Sequence, residues 1–356
     1  MTQAVPRRAA LAAVAVIALT VAACGTSNGS SGGSQRLRMG LAVANVSLNF
    51  AVEMANGAKQ AAKDAGNVDF QVVGPASTDG PAEVQMFQNL ATTARDGVIL
   101  ENLNPPLFTR PAAEILARKT PVIALDTAPT TGSNVEFYVG NDNYDLGVSM
   151  ATELLKRLPA DPGGSVVVGV PNPGTPVLDN RAKGIKDTLA QRAPKIRVLG
   201  PYQTYSEPTQ NYSAWSAQVH AHPDALAFLG VGDADSYDLA RLKQEQHGTW
   251  LTAGFDVDAK TLQAVKDGVN FITVDPEHYL KGYLSAALLI DSVRGKSKTP
   301  PHGWFVSPGG VVDSGNVDQV IAREASGQAA FDWYKSMIDQ LRSTTSANIK
   351  PLDQAR

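Results

Sequence analysis

Four aspartates stand where apolar, β-branched runs end: Asp126 after Pro121–Leu125, Asp233 after Ala225–Val231, Asp256 after Trp250–Phe255, and Asp275 closing Phe271–Asp275. A single Asp after a strand commonly caps the next helix. Repetition at one topological place points further, because ligands of open α/β sheets bind outside the carboxyl ends of the strands. Arg181 occupies a comparable place. Ser165–Val170 is a continuous apolar run suited to a strand covered on both faces, and Pro171, Pro173, Gly174 and Pro176 then forbid regular structure. Leu178, Ala182, Ile185 and Leu189 resume at helical spacing. Arg181 lies in the first turns of that helix, either as a solvated side chain or as a donor into the site. Carboxylates that accept and a guanidinium that donates suit a ligand with several hydroxyls.

Other chemistries lack their residues. The sequence has no Walker-type phosphate loop and no nucleophile elbow. Its closest His pair, His220 and His222, falls at a Pro-bounded helix end and reads as a solvated turn. A binding protein without catalytic residues, metal or cofactor is the expectation. A net charge of -3, with Lys and Arg scattered and no basic stripe, excludes nucleic acid as partner.

The elements that would position the site alternate almost without interruption. Strands are expected at Leu37–Ala44, Phe70–Val73, Gly97–Leu100 and Pro121–Leu125, with helices at Phe50–Ala65, from Pro81 to Arg95, and up to Ala117. The same alternation runs from a helix at Asp145–Leu158 to a long helix at Tyr279–Val293. It predicts a doubly wound parallel sheet with right-handed crossovers. About 320 residues exceed what one core holds, so two lobes are expected. Ahead of them, Arg7 and Arg8 precede an apolar run from Ala9 to Ala23 that reads as a secretory signal, too short for a comfortable membrane span. Val21-Ala22-Ala23-Cys24 resembles a bacterial lipoprotein box, and Cys24 is the single Cys in the chain. Residues 1–23 are thus read as a signal peptide. Residues 24–35, nearly all Gly, Ser, Thr and Asn, are read as a flexible tether behind a lipid on Cys24.

Several motifs together resemble one family. Gly57-Ala58, Asn104-Pro105, Pro121-Val122-Ile123-Ala124-Leu125-Asp126 and Val139-Gly140-Asn141-Asp142-Asn143 fall in the first half, followed by Arg181-Ala182-Lys183-Gly184, Ala221-His222-Pro223-Asp224 and Gly254-Phe255-Asp256. With the segment from Asp275 to Tyr283, they are similar to the sugar-binding proteins of bacterial ABC importers, the ribose-binding-like group of type I periplasmic-binding proteins. The resemblance implies two doubly wound lobes joined by a three-strand hinge near Asn141, Asp275 and Gly310–Gly315. It places lobe 1 at 36–141 plus 276–312, lobe 2 at 142–275 plus 313–342, and a C-terminal tail at 343–356. It also implies ligand-binding roles for Asn49 and Phe50 in the first loop and for Asp126, Asn141, Arg181, Tyr205, Asp233, Asp256, Asp275 and Glu277.

Three departures bear on specificity. Thr127 replaces the Arg that often follows the Asp126 position, Gly232-Asp233 replaces Asn-Asp, and Asp275-Pro276-Glu277-His278-Tyr279 replaces Asp-Gln-Gln-Pro-Tyr. Carboxylates at Asp126, Asp233, Asp256, Asp275 and Glu277 then face Arg181 alone, which disfavours an acidic ligand. A neutral sugar or sugar alcohol is expected, with a small cationic amine, caged by Phe50, Tyr205 and Tyr279, as the rival. The expected partners are an ABC permease and the membrane, through the lipid on Cys24. The protein is expected to be an extracytoplasmic monomer. Presentation of the bound ligand to a surface receptor is the alternative role.

Overall fold

The strand–helix alternation resolves into two sheets. The computed structural model describes residues 36–296 and 302–356, with Met1; the rest of the expected signal peptide, the tether and Cys24 lie outside the described residues. The chain opens as β1 (Leu37–Ala42), α1 (Asn49–Ala65), β2 (Val68–Val73), α2 (Gly80–Thr93), β3 (Gly97–Glu101), α3 (Pro105–Ala117), β4 (Val122–Leu125) and β5 (Phe137–Gly140). It continues as α4 (Asn143–Leu155), β6 (Gly164–Val170), α5 (Pro176–Arg192), β7 (Ile196–Gln203), α6 (Pro208–Ala221), β8 (Ala227–Gly230), α7 (Asp233–Glu245), β9 (Leu251–Phe255), α8 (Ala259–Lys266) and β10 (Ile272–Asp275). Then come α9 (His278–Val293), β11 (Gly303–Val306), β12 (Gly310–Val312), α10 (Val317–Glu324), α11 (Gly327–Ser343) and β13 (Ile349–Lys350).

Lobe 1 is built on the sheet β13-β11-β5-β4-β3-β1-β2 and lobe 2 on β12-β10-β9-β8-β6-β7. Every pairing is parallel except the edge strands β13 on β11 and β12 on β10. The buried strands read as unbroken apolar runs because helices cover both faces of such sheets. The architecture is that of two type I periplasmic-binding lobes.

The helix that follows the fifth strand of each lobe is donated to the other lobe. After β5, α4 crosses to pack its Leu146, Met150 and Leu154 into the core of lobe 2; after β10, α9 returns to the core of lobe 1. Thirteen residues of α9, from His278 to Ile290, are buried, which explains why its sequence is apolar on nearly every face. Both donated helices cross a neighbour at glycines. A Cβ on Gly57 of α1 would lie 2.0 Å from the Tyr279 carbonyl and one on Gly282 would lie 2.0 Å from that of Met54. In lobe 2, a Cβ on Gly147 would lie 2.0 Å from the Arg181 carbonyl and one on Gly184 would lie 2.1 Å from that of Tyr144. Only glycine permits backbones this close.

The lobe boundaries differ from the expected ones near the C-terminus. Residues 313–342 were expected in lobe 2, yet Ala330, Tyr334 and Ile338 of α11 belong to the core of lobe 1, where Tyr334 stacks on Tyr279 at 5.8 Å. The apolar stripe of α11 finds its cover on α1 and α9, whereas α10 packs Val317 and Val320 against Leu262 and Val265 of lobe 2. The chain therefore passes between the lobes a fourth time, between α10 and α11. Residues 310–312 form β12 in the sheet of lobe 2 instead of ending lobe 1. The expected tail contributes β13 to the sheet of lobe 1, and the Arg356 carbonyl accepts a 2.7 Å bond from the Asn143 amide at the start of α4.

Candidate functional site

Each lobe ends its fourth strand on an Asp with left-handed backbone. Asp126 follows β4 at φ 65 and Asp256 follows β9 at φ 70. Such a conformation costs a non-glycine residue about 1 to 3 kcal/mol and persists only where its surroundings over-determine it. Here they do so twice. The Asp126 amide donates to the Val139 carbonyl at 2.9 Å, and its own carbonyl accepts from the Tyr138 hydroxyl at 2.7 Å. The Asp256 amide donates to the Val274 carbonyl at 2.9 Å, and its carbonyl accepts from the Thr273 hydroxyl at 2.8 Å. The helix caps lie elsewhere, on Asp142 for α4 and Asp258 for α8, so neither Asp126 nor Asp256 is spent as a cap.

The two carboxylates face one another across a cleft between the lobes. Phe50, Leu103, Asp126 and His278 line it from lobe 1; Asn172, Arg181, Ser206, Asp233, Tyr237 and Asp256 line it from lobe 2. The cavity is narrow, about 60 Å³, and contacts cross it. His278 Nε2 lies 2.8 Å from Asp256 Oδ1, and the Thr175 hydroxyl donates to the Leu103 carbonyl at 3.1 Å. The lobes are closed on one another.

Charges in the cleft are largely neutralised within the protein. The Lys281 ammonium, fully buried in α9, pairs with Asp126 Oδ1. Burial would raise the Asp126 carboxyl, but Lys281, His278 and Arg181 together hold it down to about 2. Burial also opposes ionisation of Asp256, and the His278 bond with the positive charges of Arg181 and Lys281 overcomes it. Arg181 is 2% exposed, so the solvated reading does not hold. Its Nε donates to Asn143 Oδ1 at 3.1 Å, its Nη1 to the Val231 carbonyl at 2.9 Å, and its guanidinium stacks 4.3 Å over the Phe255 ring. Asp233 differs from the other two: burial, then the neighbouring charges of Asp256 and Asp258, push its carboxyl well above the usual range. Its Oδ1 is buried and has no partner.

Of the ten positions expected at the ligand, Phe50, Asp126, Arg181, Asp233 and Asp256 line this cleft and five do not. The Asn49 side chain bonds Glu53 one turn along its own helix. Asn141 ties the hinge, donating to the carbonyls of Ser307 at 3.1 Å and Pro308 at 2.6 Å. Tyr205 is 40% exposed on a left-handed turn, and Ser206 beside it and Tyr237 of α7 line the wall instead. Asp275 pairs with Arg323 of α10 at 2.7 Å and accepts the Glu277 amide. Glu277 stays in the crossing segment, where burial and Asp275 push its carboxyl up to about 7. The expected count of carboxylates against Arg181 alone is corrected accordingly: Asp275 and Glu277 lie outside the cleft, and Lys281 adds a second cation behind it.

Sequence reasoning missed His278, Lys281 and Tyr237. The departure at residues 275–279 was a signal for His278, since an imidazole there replaces a proline. Lys281 carried a fainter one, as a lone cation inside an otherwise apolar helix.

A family model described as a periplasmic binding protein domain matches residues 39–297. The chain is 22% identical over 232 residues to a xylose/arabinose-binding protein of Sulfolobus acidocaldarius, a match covering 61% of this chain but only 56% of the archaeal protein. It is 22% identical over 260 residues to the D-allose-binding periplasmic protein of Escherichia coli, covering 70% of this chain and 83% of that one. Among solved structures, a solute-binding protein of an ABC transporter from Burkholderia graminis, in complex with D-arabinose, superposes with a TM-score of 0.73 at 23% identity, covering 79% of this chain and 96% of that one. With the family model spanning most of its length, the chain belongs to the periplasmic binding protein domain family.

Proposed function

We propose that the protein is an extracytoplasmic solute-binding lipoprotein that captures a neutral sugar or sugar alcohol between its lobes and delivers it to an ABC importer. The observation that carries this reading is the internal charge balance of the cleft. Lys281 compensates Asp126 and Arg181 compensates Asp256, which also accepts a hydrogen bond from His278. A ligand with net charge would upset that balance in a site sheltered from water. Hydroxyl groups would not, and they use the acceptors and donors that both lobes present. Phe50 and Tyr237 offer apolar faces to the C–H surface of a sugar. The sugars named for the two curated relatives support the class without naming the member.

Capture is by closure, since only the closed form presents both lobes to one ligand. The protein acts as a monomer, tethered through a lipid on Cys24 and residues 24–35.

A thermal-shift panel of pentoses, hexoses, short polyols, polyamines and sugar acids tests the ligand class. Saturation at 100 times the dissociation constant stabilises by about 2.7 kcal/mol. Stabilisation by one group of sugars or polyols is expected; stabilisation by polyamines or acids alone overturns the assignment. Detergent partitioning of wild-type and Cys24→Ala protein expressed in a bacterium tests the anchor, and equal recovery of both in the detergent phase would exclude it.

A further inference from the structure

We infer that His278 is a ligand-contacting residue that accepts a hydrogen bond from a ligand hydroxyl through Nδ1, with Asp256 fixing the tautomer that makes this possible. The inference deepens the sugar-binding reading above and rests on it.

His278 is 2% exposed and lines the cleft at the first turn of α9, its ring 5.7 Å from that of Phe50. Its Nε2 lies 2.8 Å from Asp256 Oδ1, whereas Nδ1 is buried without a hydrogen-bond partner. Asp126 Oδ1, 4.0 Å from Nδ1, is an acceptor already held by Lys281. Four charged groups surround this part of the cleft: Asp126 behind β4, Asp256 behind β9, Lys281 one turn along α9, and Arg181 on α5. Burial and the Lys281 charge favour neutral imidazole more than the two carboxylates oppose it. Asp256 is held ionised and can only accept, so the single ring proton of neutral His278 sits on Nε2. The remaining nitrogen is then a bare lone pair inside the cleft. A buried acceptor without a donor costs free energy until a ligand supplies one. Because Asp126 and Asp256 also accept, this end of the cleft rewards a ligand that presents O–H donors and penalises its deoxy analogue.

The test combines a spectrum of the wild-type protein with a substitution. Histidine-selective ¹⁵N labelling gives five ring systems, and His278→Gln assigns one of them. At pH 7.5 without ligand, His278 should show the Nε2–H tautomer. D-arabinose, D-xylose and D-allose are then added in turn. Binding should move the Nδ1 resonance toward that of a hydrogen-bonded acceptor. Gln at 278 reaches toward Asp256 but leaves no acceptor at the Nδ1 position, so it should weaken the binding sugar about 3- to 10-fold. Monodeoxy analogues of that sugar identify the hydroxyl: the one whose removal weakens wild type should have no further effect on His278→Gln.

A proton on Nδ1 in the ligand-free protein overturns the inference. So does a sugar that binds without moving the Nδ1 resonance and binds His278→Gln as tightly as wild type, an outcome that leaves the sugar-binding reading intact. If none of the three sugars changes either the melting temperature or the spectrum, that reading fails for these sugars and the contact falls with it.

Discussion

Lobe 1 and lobe 2 hold their cleft carboxylates in the same backbone and compensate them in different ways. Asp126 and Asp256 share the left-handed turn, the amide bond to the fifth strand and a hydroxyl on the carbonyl. The crossed helix pairs correspond as well, and four residues before the glycine of each donated helix stands a side chain of the site, Asn143 before Gly147 and His278 before Gly282. Yet Asp126 finds its cation, Lys281, within its own lobe, whereas the hydrogen bond to Asp256 arrives from His278 on the other side of the cleft. Lobe 1 is electrostatically complete whether the cleft is open or closed. In lobe 2 Asp256 has Arg181 as its cation but gains its hydrogen bond only on closure, and each lobe leaves one cleft acceptor unpartnered, His278 Nδ1 in lobe 1 and Asp233 Oδ1 in lobe 2. Selectivity of the closing step should therefore be more sensitive to lobe 2.

The asymmetry is broken most severely at Lys281. Lys281→Met leaves Asp126 buried and unpaired, which costs about 3 to 5 kcal/mol of stability in denaturant unfolding. Adding Asp126→Asn should recover much of that loss; no recovery would show that Lys281 acts through packing alone. Removing the guanidinium of lobe 2 should appear in binding. Arg181→Ala should weaken the sugar that stabilises most in the thermal panel by about 1.5 to 3 kcal/mol, measured by calorimetry.

An acid limb tests the self-contained pair directly. The Asp126 carboxyl falls from 3.8 to about 2 on folding, so its contribution is fully present above pH 3.8 and is lost as pH falls toward 2. A shift of that size corresponds to about 2 kcal/mol. The acid unfolding of Asp126→Asn should lack this component. A steric change falls in the same range: Gly147→Ala should lose about 1 to 3 kcal/mol of thermal stability by pushing α4 off the Arg181 carbonyl. Gly310→Ala, where a Cβ meets nothing within 4 Å, should leave stability unchanged.

The parts of this arrangement that were legible in sequence are local. Asp126 and Asp256 each directly follow the strand that aims them, Arg181 lies in the second turn of the helix after β6, and a strand end is visible as an apolar run. Asp275 has the same local pattern and fails because its environment is remote: Arg323 reaches it from α10, beyond the whole of α9. Tyr205 and Tyr237 illustrate a different limit: Tyr205 is exposed on a left-handed turn while Tyr237 lines the wall, a difference the residue type does not carry. Lys281 was hidden by distance, lying 155 residues from its partner Asp126. The final pass of α11 into lobe 1 was equally hidden, because an amphipathic stripe shows that a helix is covered but not by which core.

The exchange of helices also dictates an order of assembly. In lobe 2, α4 and α5 are neighbours in the chain and can close on one another as soon as both exist. In lobe 1, α1 must wait for α9, and the bond between Tyr283 and Asp64 joins residues 219 positions apart. Until α9 arrives, the side of α1 that packs on it around Met54 and Gly57 lacks its main cover. Contacts of such long range form late, and an apolar face left open in the meantime is a site for aggregation or for a chaperone. Pulsed hydrogen exchange during refolding should find the amides of lobe 2 protected first, with those of α1 acquiring protection together with α9, so that the first helix of lobe 1 to be synthesised is among the last to become native.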